Sequence, residues 1–167
     1  MLLQCGSGGG ICGAIFSAAG NNKLSEECRK KYPRGCPTGS TVITSGQKIP
    51  AKYILHTVAP QDQSAEKMQS CYQSIFAQCT EHQLQSVAIC CIGTGIFGFP
   101  PIKACQIALE TTRQYLEDQR QSSSIQRIVF CTFSAKDTEI YKQHLPLYFP
   151  TSSTEGDAAS NGNTSKM

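Results

Sequence analysis

The residues with the clearest chemical potential lie in two glycine-rich loops, and both loops are suited to binding phosphate. They are Gly6-Ser7-Gly8-Gly9-Gly10-Ile11-Cys12-Gly13 and Gly93-Thr94-Gly95-Ile96-Phe97-Gly98-Phe99-Pro100. Glycine has no Cβ, so the backbone can approach a ligand closely and adopt positive φ. A helix is predicted behind each loop, and a helix N-terminus offers an anion free N–H groups and a positive dipole end. Either loop alone is equally well explained as a tight turn, but the two together indicate a diphosphate site.

The elements that must position these loops alternate between helix and strand, which predicts an α/β domain. Apolar spacing predicts helices over 14–31, 64–84, 102–118 and 135–144, the first with a break at Gly20-Asn21-Asn22. Apolar or β-branched runs predict strands at 41–44, 53–58, 87–92 and 128–133, and the last three have the composition of strands covered on both faces. Ligands of such sheets bind outside the carboxyl ends of the strands. The second glycine loop and Phe133 are therefore expected at that edge.

Composition favours one globular domain. The chain has 167 residues, of which 40% are hydrophobic and 16% charged, and its net charge is +3. The cluster Arg29-Lys30-Lys31 is interpreted as a solvated helix end, so no direct nucleic-acid binding is expected. No apolar run approaches the roughly 20 residues that span a bilayer, and no secretory signal is recognised, so we expect no membrane association. The domain is predicted over 1–150, followed by a disordered polar tail over 151–167.

The ten cysteines indicate a reducing compartment, so we expect the protein in the cytoplasm or the nucleus. None of them forms a CxxC pair and the three histidines show no ligand spacing, so no metal site is expected. Cys71, Cys79 and Cys105 fall on apolar helix positions, where a free cysteine packs as a small hydrophobe. His56 is interpreted as a strand residue and Cys12 as a spectator rather than a nucleophile.

Several distinct motifs follow one another along the chain. They are Gly8-Gly9-Gly10-Ile11-Cys12-Gly13-Ala14-Ile15, Ala18-Ala19-Gly20, Cys36-Pro37-Thr38-Gly39, Ile49-Pro50-Ala51-Lys52-Tyr53-Ile54-Leu55-His56-Thr57-Val58, the second glycine loop, 128–133 and Ile140-Tyr141. In this order they resemble the macrodomain family, and the resemblance covers about Leu3 to Pro150. The resemblance implies a three-layer α/β/α fold around a mixed, mostly parallel central sheet. Because family strands that precede the first loop have no counterpart here, we expect that fold to be shortened at its N-terminus.

The resemblance also implies an ADP-ribose site, without a cofactor, whose partners are ADP-ribose or mono-ADP-ribosylated proteins. In macrodomains the two loops bind the diphosphate and the distal ribose through backbone N–H groups. That role corresponds to Gly9, Gly10, Ile11, Cys12 and Gly13 and to Gly93, Thr94, Gly95, Ile96, Phe97 and Gly98. Phe97 would border the distal ribose. Phe133 would line the adenine and the proximal ribose, unless it is a core aromatic.

Departures from the family pattern leave three functions open. The missing strands carry an acidic residue that binds adenine and an asparagine that binds the distal ribose, so weaker affinity is expected. Family members that hydrolyse mono-ADP-ribose often carry Asp and His where this chain has Cys12 and Phe16, and a thiol does not orient water as a carboxylate does. The preferred function is an ADP-ribose-binding module. The alternatives are a mono-ADP-ribosyl-protein hydrolase with unknown catalytic residues and a remnant that binds no nucleotide.

Overall fold

Helices and strands alternate along residues 9–122 and 124–150, which the computed structural model describes, so the predicted α/β class is confirmed. The elements are α1 (Gly10–Ala19), α2 (Asn21–Lys31), β1 (Thr41–Ser45), β2 (Tyr53–Thr57), α3 (Ala65–Glu81), β3 (Ser86–Cys90), α4 (Pro101–Glu117), α5 (Gln119–Ser122), β4 (Arg127–Cys131) and α6 (Ala135–Tyr148). The predicted break in the first helix is present at Gly20, whose φ is 94°. The predicted tail over 151–167 lies outside the described residues.

The four strands of the described region form two separate pairs instead of one continuous sheet. β1 and β2 are antiparallel, with Thr41 opposite Thr57, whereas β3 and β4 are parallel, with Cys90 opposite Cys131. The expected mixed, mostly parallel sheet is therefore divided in this part of the chain. β2 and β3 still end side by side, because a Cβ built on Gly93 would lie 3.9 Å from the Cβ of Ala59. The loops that follow these two strands consequently reach the same edge of the domain.

Helix α3 joins the two pairs through one continuous core. Its buried face is the one that the sequence predicts, formed by Met68, Cys71, Tyr72, Ile75, Phe76 and Cys79. This face packs with Leu55 of β2 and with Ile89 of β3. The ring of Phe76 stacks on Tyr115 of α4 at 4.4 Å between centroids. The three cysteines predicted to pack as hydrophobes, Cys71, Cys79 and Cys105, are fully buried.

Helices α1 and α2 cover the opposite face of β1 and β2, so this pair lies between two helical layers. Their apolar contacts are made by Phe16, Ala19, Leu24, Cys28 and Ile54. Glu27 links α2 to β1 by hydrogen bonds: its carboxylate accepts the Ser45 N–H at 3.0 Å and the Gln47 side-chain amide at 2.7 Å. The same carboxylate pairs with Lys31 of α2 at 2.7 Å. Burial opposes its ionisation, but the hydrogen bonds from Lys31, Ser45 and Gln47 lower the pKa of Glu27 to about 2.

Strands β3 and β4 are not buried on both faces, contrary to the prediction. Ile89 is 4% exposed, whereas Val129 on the other face is 43% exposed. The described helices α3, α4 and α6 pack mainly against the face that carries Ile89 and Phe130, and Cys90 at the end of β3 also contacts this core. Both strands also end two residues before the predicted positions, at Cys90 and Cys131, so Phe133 follows β4 rather than ending it. None of the helices in the described ranges is long and apolar enough to cross a membrane.

Candidate functional site

The first glycine loop leads directly into the N-terminus of α1. Gly9 is the N-cap, with extended backbone and no capping side chain, and Gly10 has a φ of 63°, which glycine adopts without strain. The first four N–H groups of a helix have no acceptor within the helix. Here they belong to Gly9, Gly10, Ile11 and Cys12, which are all exposed, while Gly13 is partly buried. These predicted loop residues are therefore accessible at the end of α1 that leaves N–H groups without an acceptor in the helix.

The second glycine loop connects β3 to α4 and is held by its own backbone. The Gly98 N–H donates to Gly95 O at 3.0 Å, and the Phe99 N–H donates to Gly93 O at 3.0 Å. The Thr94 hydroxyl donates to Cys91 O at 3.1 Å. Within the described ranges, the N–H groups of Gly95, Ile96 and Phe97 have no protein acceptor. A loop fixed in this way can offer these N–H groups to an anion without reorganising.

The fold brings the two glycine loops next to each other. A Cβ built on Gly9 would lie 3.4 Å from Cδ1 of Ile96. Ile11 is 56% and Ile96 85% exposed, so the meeting point carries apolar surface beside free N–H groups. A Cβ on Gly95 would meet nothing within 4 Å, which leaves open space over the second loop. This arrangement suits a ligand that combines a diphosphate with less polar groups.

Gly93 and the two aromatic residues have different surroundings. Gly93 serves the fold, because its φ is 75° and an added Cβ would lie 2.8 Å from Cε of Met68. Phe97 is partly buried. Phe133 lies two residues beyond β4 and is 100% exposed, so its interpretation as a core aromatic is wrong. A fully exposed ring next to the strand ends is available to stack on a base or sugar.

Sequence reasoning missed Gln63, in the loop between β2 and α3. Its side-chain amide donates to Gly98 O at 3.2 Å and ties this loop to the second glycine loop. The neighbouring Asp62 pairs with Lys67, whose hydrogen bond lowers the pKa of the Asp62 carboxyl below its ordinary value. The sequence did contain one indication of this role for Gln63. Residues 59–64 follow the carboxyl end of β2, and ligands of α/β sheets bind at that edge.

Neither described loop segment, 9–13 or 94–98, contains a carboxylate or an imidazole. His56 is 7% exposed, its Nε2 lies 2.8 Å from the Thr44 hydroxyl, and burial lowers its pKa to about 4 against the opposing charge of Glu27. Phe16 packs edge-on against the His56 ring at 5.8 Å between centroids and is a core residue. His56 is therefore a neutral strand residue, as predicted. No cluster of three metal-ligating side chains occurs in the described part of the chain.

Comparison with known proteins identifies relatives along most of the chain. The family model for the Macro domain matches residues 2–108. The ADP-ribose glycohydrolase MACROD1 of Rattus norvegicus is 42% identical over 150 residues, which are 86% of this chain and 56% of that protein. The Macro domain-containing protein CT2219 of Chlorobaculum tepidum is 40% identical over 143 residues, which are 83% of this chain and 80% of that protein. The chain thus spans little more than half the length of the rat relative.

Solved structures agree with the sequence matches. The Trypanosoma brucei macrodomain in complex with ADP-ribose superposes with a TM-score of 0.78 at 35% identity, covering 84% of this chain and 58% of the other. The Oceanobacillus iheyensis macrodomain with ADP superposes with a TM-score of 0.77 at 33% identity, covering 86% of this chain and 78% of the other. The described helices and strands therefore follow the arrangement of proteins that were crystallised with ADP-ribose or ADP.

Proposed function

The chain belongs to the macro domain family, and on that premise we propose that it is a binding module for ADP-ribose, free or attached to protein. One observation carries the proposal: the two glycine loops meet at Gly9 and Ile96, and among the described residues the N–H groups of Gly95, Ile96 and Phe97 have no protein acceptor. A diphosphate requires several N–H donors converging from more than one segment, and these two loops supply them. Phe133 provides an exposed aromatic face for the less polar part of the ligand.

The lack of acid–base groups favours binding over turnover. General acid–base catalysis needs a side chain that can hold or release a proton within hydrogen-bond reach of the reacting atoms. The described loop segments contain no carboxylate or imidazole, and His56 is buried and bonded to Thr44. By the family resemblance, Cys12 stands where hydrolytic macrodomains often carry Asp. A binding site built from backbone N–H groups needs no such group. The proposed role is therefore recognition of ADP-ribose rather than its cleavage.

A mono-ADP-ribosyl-protein hydrolase is the second candidate, and the names of the relatives favour it. The rat and human relatives are ADP-ribose glycohydrolases, at 42% and 40% identity. Hydrolysis by this chain would need a water positioned by the substrate itself, because Cys12 cannot act as a carboxylate does. Release of ADP-ribose from a mono-ADP-ribosylated protein, followed by mass spectrometry, separates this candidate from a binding module.

Isothermal titration of the purified chain with ADP-ribose, and with AMP as the comparison ligand, tests the binding function. We expect micromolar affinity for ADP-ribose, about −8 kcal/mol, and no measurable binding by Gly95→Glu. Position 95 has room for a side chain, so the variant should fold, and its carboxylate would repel the diphosphate. Gln73→Glu adds the same charge on the exposed side of α3 and should bind as the parent does. If the folded parent chain does not bind ADP-ribose, the proposed function is wrong and the chain is a macrodomain remnant that binds no nucleotide.

A further inference from the structure

Cys90 and Cys131 lie directly opposite each other at the carboxyl ends of the parallel strands β3 and β4. Neighbouring strands are about 4.8 Å apart, and disulfides join residues whose Cα atoms are about 4.4–6.8 Å apart. Side chains of directly opposed residues project from the same face of a sheet. Ala88, Val129 and Cys131 on this face are exposed, whereas Cys90 is partly buried and packs against the core around α3. Both cysteines are free thiols in the structure.

We propose that Cys90 and Cys131 are a redox-active dithiol that hydrogen peroxide converts into a reversible disulfide bridge between β3 and β4. Cys131 is exposed and meets the oxidant first, whereas Cys90 is partly buried and acts as the resolving thiol. Burial raises the pKa of the Cys90 thiol, which slows its own reaction with peroxide. Position and exposure thus give the two thiols different roles.

The chemistry takes two balanced steps. The Cys131 thiolate attacks one oxygen of hydrogen peroxide, breaks the O–O bond and becomes a sulfenic acid as one water leaves. The Cys90 sulfur then attacks the Cys131 sulfur, the S–O bond breaks, and a second water leaves as the S–S bond forms. Two thiols lose two electrons and two protons in total, and one peroxide becomes two waters. A thiol reductant such as dithiothreitol reverses the process by exchange.

The other described cysteines are less suited to this reaction. Cys91 is next to Cys90, and its Sγ donates to the Cys131 carbonyl oxygen at 3.8 Å. Burial raises the pKa of Cys91 to about 11, and Cys91 follows β3 and has no directly opposed residue in the strand register. Cys12 is exposed but belongs to the first glycine loop rather than to the strand pair. Cys91 is therefore the appropriate matched control, being the same residue type one position along.

The bridge would act on the candidate ligand site, a consequence that rests on the proposed function. Gly93 begins the second glycine loop three residues after Cys90, and Phe133 follows Cys131 by two residues. Joining the strand ends fixes the spacing between this loop and the Phe133 ring. Binding sites lose affinity when their groups move by about 0.5 Å, so we expect oxidation to weaken ADP-ribose binding at least about threefold.

The test is to treat the full reduced chain with one equivalent of hydrogen peroxide and to map peptides without reduction. We expect the parent and Cys91→Ala to lose two hydrogen atoms and to yield a peptide linked between Cys90 and Cys131, both reversed by dithiothreitol. Cys90→Ala should leave Cys131 as a sulfenic or higher acid without that bridge. Cys131→Ala, a change at an exposed position, should also form no bridge and guards against a folding defect in Cys90→Ala.

Three results would overturn the proposal. They are a Cys131 that overoxidises in the parent without bridging, a bridge from Cys131 to Cys91, and a bridge that persists in Cys90→Ala. Titration of the bridged and reduced parent with ADP-ribose then tests the effect on the site. Equal affinities would refute control of binding by the bridge. Binding by neither form would refute the proposed function and leave the mapped disulfide standing.

Discussion

The pair β1–β2 lies between two helical layers, whereas the pair β3–β4 is covered on one face and open on the other. The covered pair contains many polar side chains, and they bond to each other, as in Thr41 with Thr57 at 2.9 Å and Thr44 with His56 at 2.8 Å. The open pair is the more apolar of the two, yet it exposes Val129 to 43%. Hydropathy therefore does not rank these strands by burial, because burial depends on which helices pack over each face.

The covered pair contributes mainly to the stability of the fold, whereas the open pair contributes mainly to the candidate binding site. The covered region packs closely around specific glycines and one buried histidine. The open region supplies the second glycine loop, the exposed Phe133 and the dithiol, and it meets the first loop at Gly9 and Ile96. Side chains with few neighbours can change at little cost to folding, so substitutions should damage folding in the first region and binding in the second.

The largest expected effect is that of Gly46→Ala, in the turn of the covered pair. An added Cβ would lie 1.7 Å from Ala51 O, so the turn must open and the β1–β2 register would be disturbed. We expect a loss of about 4 kcal/mol or more in the free energy of unfolding, or failure to fold. Urea unfolding followed by circular dichroism measures this change. The control is Gly95→Ala, whose Cβ meets nothing within 4 Å and which should unfold like the parent.

Truncation of one apolar side chain in each region measures the difference in burial between the two strand pairs. Leu24 is fully buried under α1 and β2, and Leu24→Ala should cost about 3 kcal/mol because it removes packed methyl groups and leaves a cavity. Val129, on the open face, is 43% exposed, and Val129→Ala should cost less than about 1 kcal/mol. Both values come from the same urea titration. Equal losses at the two positions would show that the open face is covered in solution.

A smaller effect than the losses expected at Gly46 and Leu24 is a pH dependence that belongs to the covered pair. Burial lowers the pKa of His56 from 6.5 to about 4, so the unfolded chain binds more protons between these values. Its contribution to stability is complete above pH 6.5 and is lost as the pH falls toward 4. Between pH 7 and 5 this amounts to about 2 kcal/mol.

The measurement is urea unfolding at pH 7 and pH 5 for the parent, His56→Gln and His82→Gln. His56→Gln should remove this part of the pH dependence, whereas His82→Gln, a partly exposed position at the end of α3, should retain it. The Glu27 carboxylate, with a pKa of about 2, remains ionised in the folded chain at both pH values. An unchanged slope in His56→Gln would mean that other groups titrate in this range.

Local patterns were sufficient for most elements and for the two loops. The apolar face of α3 follows from its 3.6-residue spacing, and the break at Gly20 follows from a residue that accepts positive φ. Gln63 could not be assigned from pattern, because its role depends on a hydrogen bond to Gly98, 35 positions away. The open face of β4 was also not predicted, because an apolar run does not show whether helices cover one face of the strand or both.

The α/β alternation, the macrodomain resemblance and the two glycine loops follow from the amino-acid sequence, because each depends on residues close together in the chain. The folded structure was needed to show that Gly9 meets Ile96, that the strands divide into two pairs, and that Cys90 is opposite Cys131. These facts depend on how distant segments pack. Packing is set by the whole set of contacts and not by any local pattern of residues.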